Sequence, residues 1–231
     1  MLKTYSAVFI DWDDTLWDFH ATAYIAMEKA YDTYDLQRYF HSFQHFYNLY
    51  EGRNRELWAE YAQGNITKDN LQRERFQYPF RMVNQEDDDL AGQVGNDFLE
   101  LTIQQNKLIT GAKELMAYLA QKYPIIVLSN GFKEVQYRKI ATSGLQEYIT
   151  HVVLSEEVGV QKPNKLIFEY ALKLINKKAS EVMMIGDNME TDIMGAAEMG
   201  MDTIYLSKNM TSTTDYPTYT VQTLREIQNI L

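Results

Sequence analysis

The chain contains no cysteine. Disulfides and thiolate metal sites are therefore excluded, and the composition is compatible with a reducing cytoplasm. Basic residues are also in deficit. Lys and Arg number 22 against 32 Asp and Glu, a formal net charge of -10. A general nucleic-acid binder normally shows a basic face, so no nucleic-acid partner is expected. A small anionic ligand remains compatible, because a metal, a lysine and backbone N–H groups can make a site locally positive. No run of about 18 apolar residues occurs, so no membrane span is expected. The opening MLKTYSAVFIDWDD has too short an apolar run for a signal peptide, and acids follow at once. The expectation is a cytoplasmic protein without a membrane partner. Oligomeric state is left open.

What is present is ordinary for a soluble globular protein. The 231 residues are 45% hydrophobic and 23% charged, enough for a substantial core and one to two domains. Five short apolar runs, 6–10, 125–129, 152–155, 182–186 and 203–206, read as buried parallel strands. Helical patterns separate most of them, at 111–122, 133–142, 163–176 and 190–199. This alternation predicts an α/β fold with a doubly wound parallel sheet. Residues 17–106 contain no convincing strand and are rich in aromatics and helix formers, with breaks expected at Gly64 and Pro79. A βαβ crossover needs far fewer residues. The expected domains are therefore a core of 1–16 and 107–231 and an inserted all-α domain of 17–106. Residues 208–220 read as loop and 221–231 as a final short helix.

Polar residues end several of the apolar runs. Open α/β sheets place ligands at strand tips. Asp11 and Asp13 follow the first run, two apart and so on one side of an extended chain. A carboxylate at Asp11 can attack phosphorus and form an aspartyl-phosphate. Asp13 is placed to protonate the leaving oxygen and then to activate water. Asp187 and Asp192 follow the fourth run, and with Asp11 they offer the oxygen ligands that Mg²⁺ prefers. Ser129, Asn130 and Gly131 end the second run, where a hydroxyl and backbone N–H groups can bind phosphoryl oxygens. Lys162, before Pro163 at an expected first helical position, can stabilise developing charge. Taken singly, each has a plainer reading: a solvated turn for the aspartates, a helix cap for Ser129 and Asn130, a solvated loop lysine for Lys162.

The ordered set Asp11-x-Asp13-x-Thr15, Ser129, Lys162-Pro163 and Gly186-Asp187 with Asp192 resembles the four motifs of the haloacid dehalogenase superfamily. The resemblance covers 1–16 and about 107–231, and the helical insert matches the position of that superfamily's C1 cap. It implies a Rossmannoid catalytic core and a Mg²⁺-dependent phosphomonoester hydrolase. It implies Asp11 as nucleophile and metal ligand, and Asp13 as general acid/base and metal ligand through its backbone carbonyl. Ser129, with Asn130 and Gly131, would bind phosphate, and Lys162 would hold phosphoryl and nucleophile. Asp187 would ligate metal, Asp192 would support it directly or through water, and Thr15 would brace the loop. The stretch 13–19 and Lys162-Pro163 with Ile167, Phe168, Ala171 and Leu172 are similar to the YjjG-like 5′-nucleotidases. That similarity implies pyrimidine nucleoside monophosphates, including deoxy forms, as substrates. Asn164 departs from the Asp that many relatives carry after Lys-Pro, and it caps a helix equally well.

Rival readings are a phosphoglycolate or sugar-phosphate phosphatase and a phosphomutase, which share the core residues. A dehalogenase needs neither Asp13 nor the late acids. A phospho-receiver domain is shorter and lacks the helical insert. His41 and His45 could share a metal but have no evident third ligand. The acidic run 86–89 reads as loop and first helical turn, and the aromatics of 39–61 and Trp17 read chiefly as packing.

Overall fold

The computed structural model describes residues 4–207 and 215–231. In chain order come β1 (Ala7–Ile10), α1 (Phe19–Thr33), α2 (Phe43–Ala62), α3 (Lys68–Met82), α4 (Asp88–Gln105), α5 (Ala112–Ala120) and β2 (Ile125–Ser129). Then follow α6 (Lys133–Ser143), β3 (His151–Leu154), α7 (Ser155–Val158), α8 (Lys165–Ile175) and β4 (Val182–Gly186). A π-helical turn (Met189–Met194) leads into α9 (Gly195–Glu198), and β5 (Asp202–Leu206), β6 (Tyr219–Val221) and α10 (Leu224–Ile227) complete the order. The chain divides into two compact units, Met1–Phe19 with Asn106–Leu231, and His20–Gln105.

The first unit is a six-stranded sheet of order β3-β2-β1-β4-β5-β6 with every neighbouring pair parallel. Strands β1, β2 and β4 are buried along their whole length, which is why their sequences read as continuous apolar runs. The two-residue period sends Val8, Ile10, Val127 and Ile185 to the side of Leu115, Met116 and Leu119 of α5. It sends Phe9, Ile126, Leu128 and Met184 to the side of Ile167, Phe168 and Ala171 of α8. Each such side chain contributes roughly 1.5–3 kcal/mol on full burial. Strand β1 is central, with Ile10 in register with Val127 and with Ile185. The chain builds outward from β1 to β3, then returns to β4 on the other side. The crevice at the carboxyl ends of β1 and β4 is therefore the topological switch point, where such sheets bind ligands.

The second unit is helical throughout, and its core is aromatic. Tyr50 lies 5.4 Å, centroid to centroid, from Phe76, which lies 5.4 Å from Phe98. Arg75 is buried among these rings, its guanidinium 5.0 Å from the Phe76 centroid. The helix starts are capped by side-chain oxygens: Ser42 accepts from the His45 N–H at 3.1 Å and Thr67 from the Asn70 N–H at 3.2 Å.

Three local expectations are corrected. Gly64 does follow the end of α2, at φ +74°, but α3 runs through Pro79 to Met82. That proline lies in the last turn, so its missing N–H costs one intrahelical bond, and its ring is buried. Pro163 is not the first helical residue. Asn164 has non-helical ψ of 127°, and its side chain accepts from the Leu166 N–H at 3.0 Å, so α8 begins at Lys165. Residues 219–221, read as the end of a loop and the start of a helix, form β6, a strand specified by pairing with β5 and not by apolarity. The remainder of that expected loop, 208–214, lies outside the described residues.

Candidate active site

Lys162 is the hub of the site. It is 2% exposed. Its Nζ donates to Asp11 Oδ1 at 2.5 Å, to Asp192 Oδ1 at 2.7 Å and to the Leu128 carbonyl at 2.8 Å. An ammonium has three N–H donors, so all are taken. Burial opposes its charge, but Asp11 and Asp192 outweigh that and hold its pKa above the usual lysine range. The lysine backbone is fixed as well. Asn130 Nδ2 donates to the Lys162 carbonyl at 3.0 Å, and Asn130 Oδ1 accepts from the Lys162 N–H at 2.8 Å.

Around it stand three carboxylates. The Asp11 N–H continues the β1–β4 ladder by donating to the Ile185 carbonyl at 2.9 Å. The turn that follows passes through Asp14 at φ +59°, a conformation aspartate tolerates. It brings Thr15 Oγ1 to Asp187 Oδ1, to which it donates at 2.8 Å. Asp192, 1% exposed, lies on the π-helical turn, whose start is capped by Asn188. Its Oδ2 accepts from the Asn188 N–H at 3.2 Å. Oxygens of Asp11, Asp187 and Asp192 all fall within 4.8 Å of one another. Burial, chiefly, raises the Asp11 pKa well above the carboxylate range, although Lys162 pulls it down. Burial, then the Asp192 and Asp14 carboxylates, push Asp187 up to about 7. Crowded, partly desolvated carboxylates with hard oxygen donors are the chemistry that a small divalent cation satisfies. Gly186 makes the crowding possible: a Cβ there would lie 2.3 Å from Asp192 Oδ2.

A second cluster adjoins the tip of β2. Ser129 Oγ accepts from the Gly131 N–H at 3.1 Å and from Gln136 Nε2 at 2.5 Å. Both bonds use the hydroxyl as acceptor, so its own proton is free for a further acceptor. The Gly131 N–H, expected to face a phosphoryl oxygen, is thereby occupied. The same Gln136 Nε2 donates to Asp13 Oδ2 at 2.8 Å, and Lys139 Nζ donates to Asp13 Oδ1 at 2.6 Å. Gln136 and Lys139 were not among the residues singled out in the sequence. The available signal was their i, i+3 spacing on the helix after Ser129.

The plainer features stay plain. Trp12 and Trp17 are fully buried. The rings of His41 and His45 stack 5.4 Å apart, and among the described residues the carboxylate trio is the only group of three ligating residues that gathers. Asp88 and Asp89 form the first turn of α4. Among the described residues no helix is long and apolar enough to cross a membrane.

This arrangement has known counterparts. Residues 5–200 match the family model for haloacid dehalogenase-like hydrolases. The chain belongs to that family. It is 32% identical over 227 residues to the pyrimidine 5′-nucleotidase YjjG of Escherichia coli, covering 97% of this chain and 96% of YjjG. It is 28% identical to the pyrimidine 5′-nucleotidase PynA of Streptococcus pneumoniae, covering 98% and 95% of the two chains. Among solved structures, the magnesium-bound HAD-hydrolase YfnB of Bacillus subtilis superposes with a TM-score of 0.88 at 27% identity, covering 99% of each chain. The fold is thus shared with YfnB along almost the whole of both chains.

Two measurements test the site. With burial, first, pushing Asp187 up to about 7, the metal-free fold favours its protonated form at acid pH. Its contribution to stability is present at acid pH and lost as pH rises through about 7. A cation needs the ionised forms, so the rise in thermal midpoint on adding Mg²⁺ should grow between pH 6 and 8. At ~100 times the dissociation constant the stabilisation behind that rise should approach about 2.7 kcal/mol. A midpoint indifferent to Mg²⁺ at pH 8 contradicts the assignment. Gly186→Ala should cost roughly 1–3 kcal/mol in chemical denaturation and weaken Mg²⁺ binding, because the pinned Asp192 cannot yield to the new methyl. Unchanged stability and affinity would show that the packing has room to give.

Proposed function

We propose that this hydrolase cleaves phosphomonoesters through an aspartyl-phosphate on Asp11, with Mg²⁺ as cofactor. Its preferred substrates are (deoxy)pyrimidine nucleoside 5′-monophosphates. The observation that carries the chemistry is the convergence of Asp11, Asp187 and Asp192 within 4.8 Å around the buried Lys162 ammonium. The pyrimidine preference is supported by the likeness to YjjG and PynA over almost the whole of each chain.

In this reading Asp11 attacks phosphorus while Lys162 balances its charge and fixes its direction. The Ser129 hydroxyl donates its free proton as a hydrogen bond to a phosphoryl oxygen. Asp13 protonates the leaving ester oxygen, then removes a proton from the water that opens the phosphoenzyme. Mg²⁺ held by Asp11, Asp187 and the Asp13 backbone carbonyl would supply charge neutralisation at the phosphoryl oxygens. Both Asp192 oxygens already accept hydrogen bonds, from Lys162 and from the Asn188 N–H, so Asp192 supports that set. The helical unit acts as the cap that selects the leaving group. The absence of cysteine is consistent with work in the cytoplasm.

A panel of phosphate-release assays with Mg²⁺ tests both levels. Turnover of UMP, dUMP and dTMP should exceed that of phosphoglycolate and sugar phosphates. Preference for one of the latter would replace the substrate assignment and leave the chemistry standing. Asp11→Asn should reduce turnover to background with no phosphoenzyme in rapid quench; full activity in that variant would falsify the covalent route.

A further inference from the structure

We infer that Gln136 and Lys139 are positioning residues for proton transfer, holding Asp13 in register with the phosphate-binding serine. The inference rests on the reading of Asp13 as the acid/base.

Both residues lie on α6 and both are buried, Gln136 at 0% and Lys139 at 3% exposure. A polar side chain at such depth needs a partner. Lys139 finds Asp13 Oδ1 at 2.6 Å, with its ammonium over the rings of Trp17 and Phe19 at 5.9 and 5.0 Å. Gln136 gives one nitrogen to two acceptors, Asp13 Oδ2 at 2.8 Å and Ser129 Oγ at 2.5 Å. Its Oε1 is buried without a hydrogen-bond partner among the described residues. An unsatisfied buried carbonyl is a cost that packing alone does not require, and it marks the amide as oriented for its two acceptors. Gly131 opens the room for this side chain, since a Cβ at 131 would fall 2.5 Å from Gln136 Cδ. Both Asp13 oxygens are thus held from one helix. Half-buried Asp13 keeps a solvent-facing side from which a reacting group can be reached.

The consequence is specific to the steps that move a proton. As the ester P–O bond breaks, its electron pair goes to the leaving oxygen, which takes the Asp13 proton while the Asp11–phosphorus bond forms. In the second step water forms its bond to phosphorus, the Asp11–phosphorus bond breaks, and Asp13 takes the water proton. Misplacing Asp13 slows the first step only when the leaving oxygen needs a proton. It slows the second step always.

The test compares Lys139→Met and Gln136→Met with the unsubstituted protein, using UMP and p-nitrophenyl phosphate with Mg²⁺. For UMP, kcat should fall by about 10²-fold, the cost of a misplaced group, with KM nearly unchanged. For p-nitrophenyl phosphate, whose leaving group departs unprotonated, the burst of p-nitrophenolate should keep its rate while steady-state turnover slows and phosphoenzyme accumulates. Lys139→Arg should restore part of the UMP rate. Equal loss in burst and turnover, or a loss that follows KM, assigns the two residues a merely structural role and overturns the inference. Variants identical to the unsubstituted protein overturn it too. Failure of the unsubstituted protein to turn over any phosphomonoester would instead remove the reading of the site on which it rests.

Discussion

Burying an ammonium group away from water costs several kcal/mol unless charge and hydrogen bonds offset it. Lys162 meets that demand with two carboxylates and one carbonyl, which arrive from different parts of the sheet. Asp11 comes from the tip of β1, Leu128 from β2, and Asp192 from the turn after β4. Removing either acid leaves the buried ammonium with one carboxylate and one unused N–H donor, whereas removing both would leave a desolvated charge unpaired, a loss of about 3–5 kcal/mol. The lysine therefore ties the strand order to the site. Its backbone is held in turn by the Asn130 amide, so the residue after Ser129 sets the position of a residue 32 places later. The candidate nucleophile is located by a small set of bonds across the switch point of the sheet.

The same economy governs the glycines at the strand ends. At 186 and 131 the space a side chain would fill belongs to Asp192 and Gln136 respectively. Backbone and functional side chains pack against each other directly there, with no intervening layer. Small changes in the β4 turn move the carboxylate trio, and small changes after β2 move the Ser129–Asp13 set. The π-helical turn at 189–194 belongs to this picture. Such turns are uncommon and concentrate where a helix must aim a particular side chain, here Asp192 toward Lys162.

How much of this was legible in the sequence depended on whether the signal was local. Five strands were legible because each carries a short apolar run, and three of them, β1, β2 and β4, are buried throughout. The polar residue ending a run marked Asp11, Ser129 and Asp187 for the same reason. Strand β6 was not legible, since Tyr-Thr-Val has no apolar run and its pairing with β5 is a tertiary fact. The start of α8 turned on whether Pro163 or Lys165 is the first helical residue, a choice that depends on the backbone of Asn164. Gln136 and Lys139 were missed because polar residues on a helix are ordinarily solvent-facing. Their burial follows only once Asp13, 123 and 126 positions away, reaches the same place. Asn130 was read for its backbone, while its side-chain grip on Lys162 needed the fold.

Charge balance separates the two carboxylate sets and explains how an acidic chain can host an anion. Once Asp13 has given up its proton it has its own counter-charge in Lys139, so that pair is then electrically neutral by itself. Asp11, Asp187 and Asp192 share one ammonium, Lys162, which leaves the ionised trio two positive charges short. At close range in a partly buried site each unmatched unit of charge repels a phosphoryl oxygen by about 4 kcal/mol. Burial first, and then the neighbouring carboxylates, raise the pKa of Asp11 and Asp187 against the pull of Lys162, and protonation is the response available to the protein alone. A divalent cation fills a deficit of two charges where a monovalent one does not, and it would leave the neighbouring Asp13–Lys139 pair untouched. The division of labour follows from that arithmetic. The unbalanced trio is suited to gather a cation and the phosphoryl group, while the balanced pair is suited to keep an acid/base at a fixed place beside them.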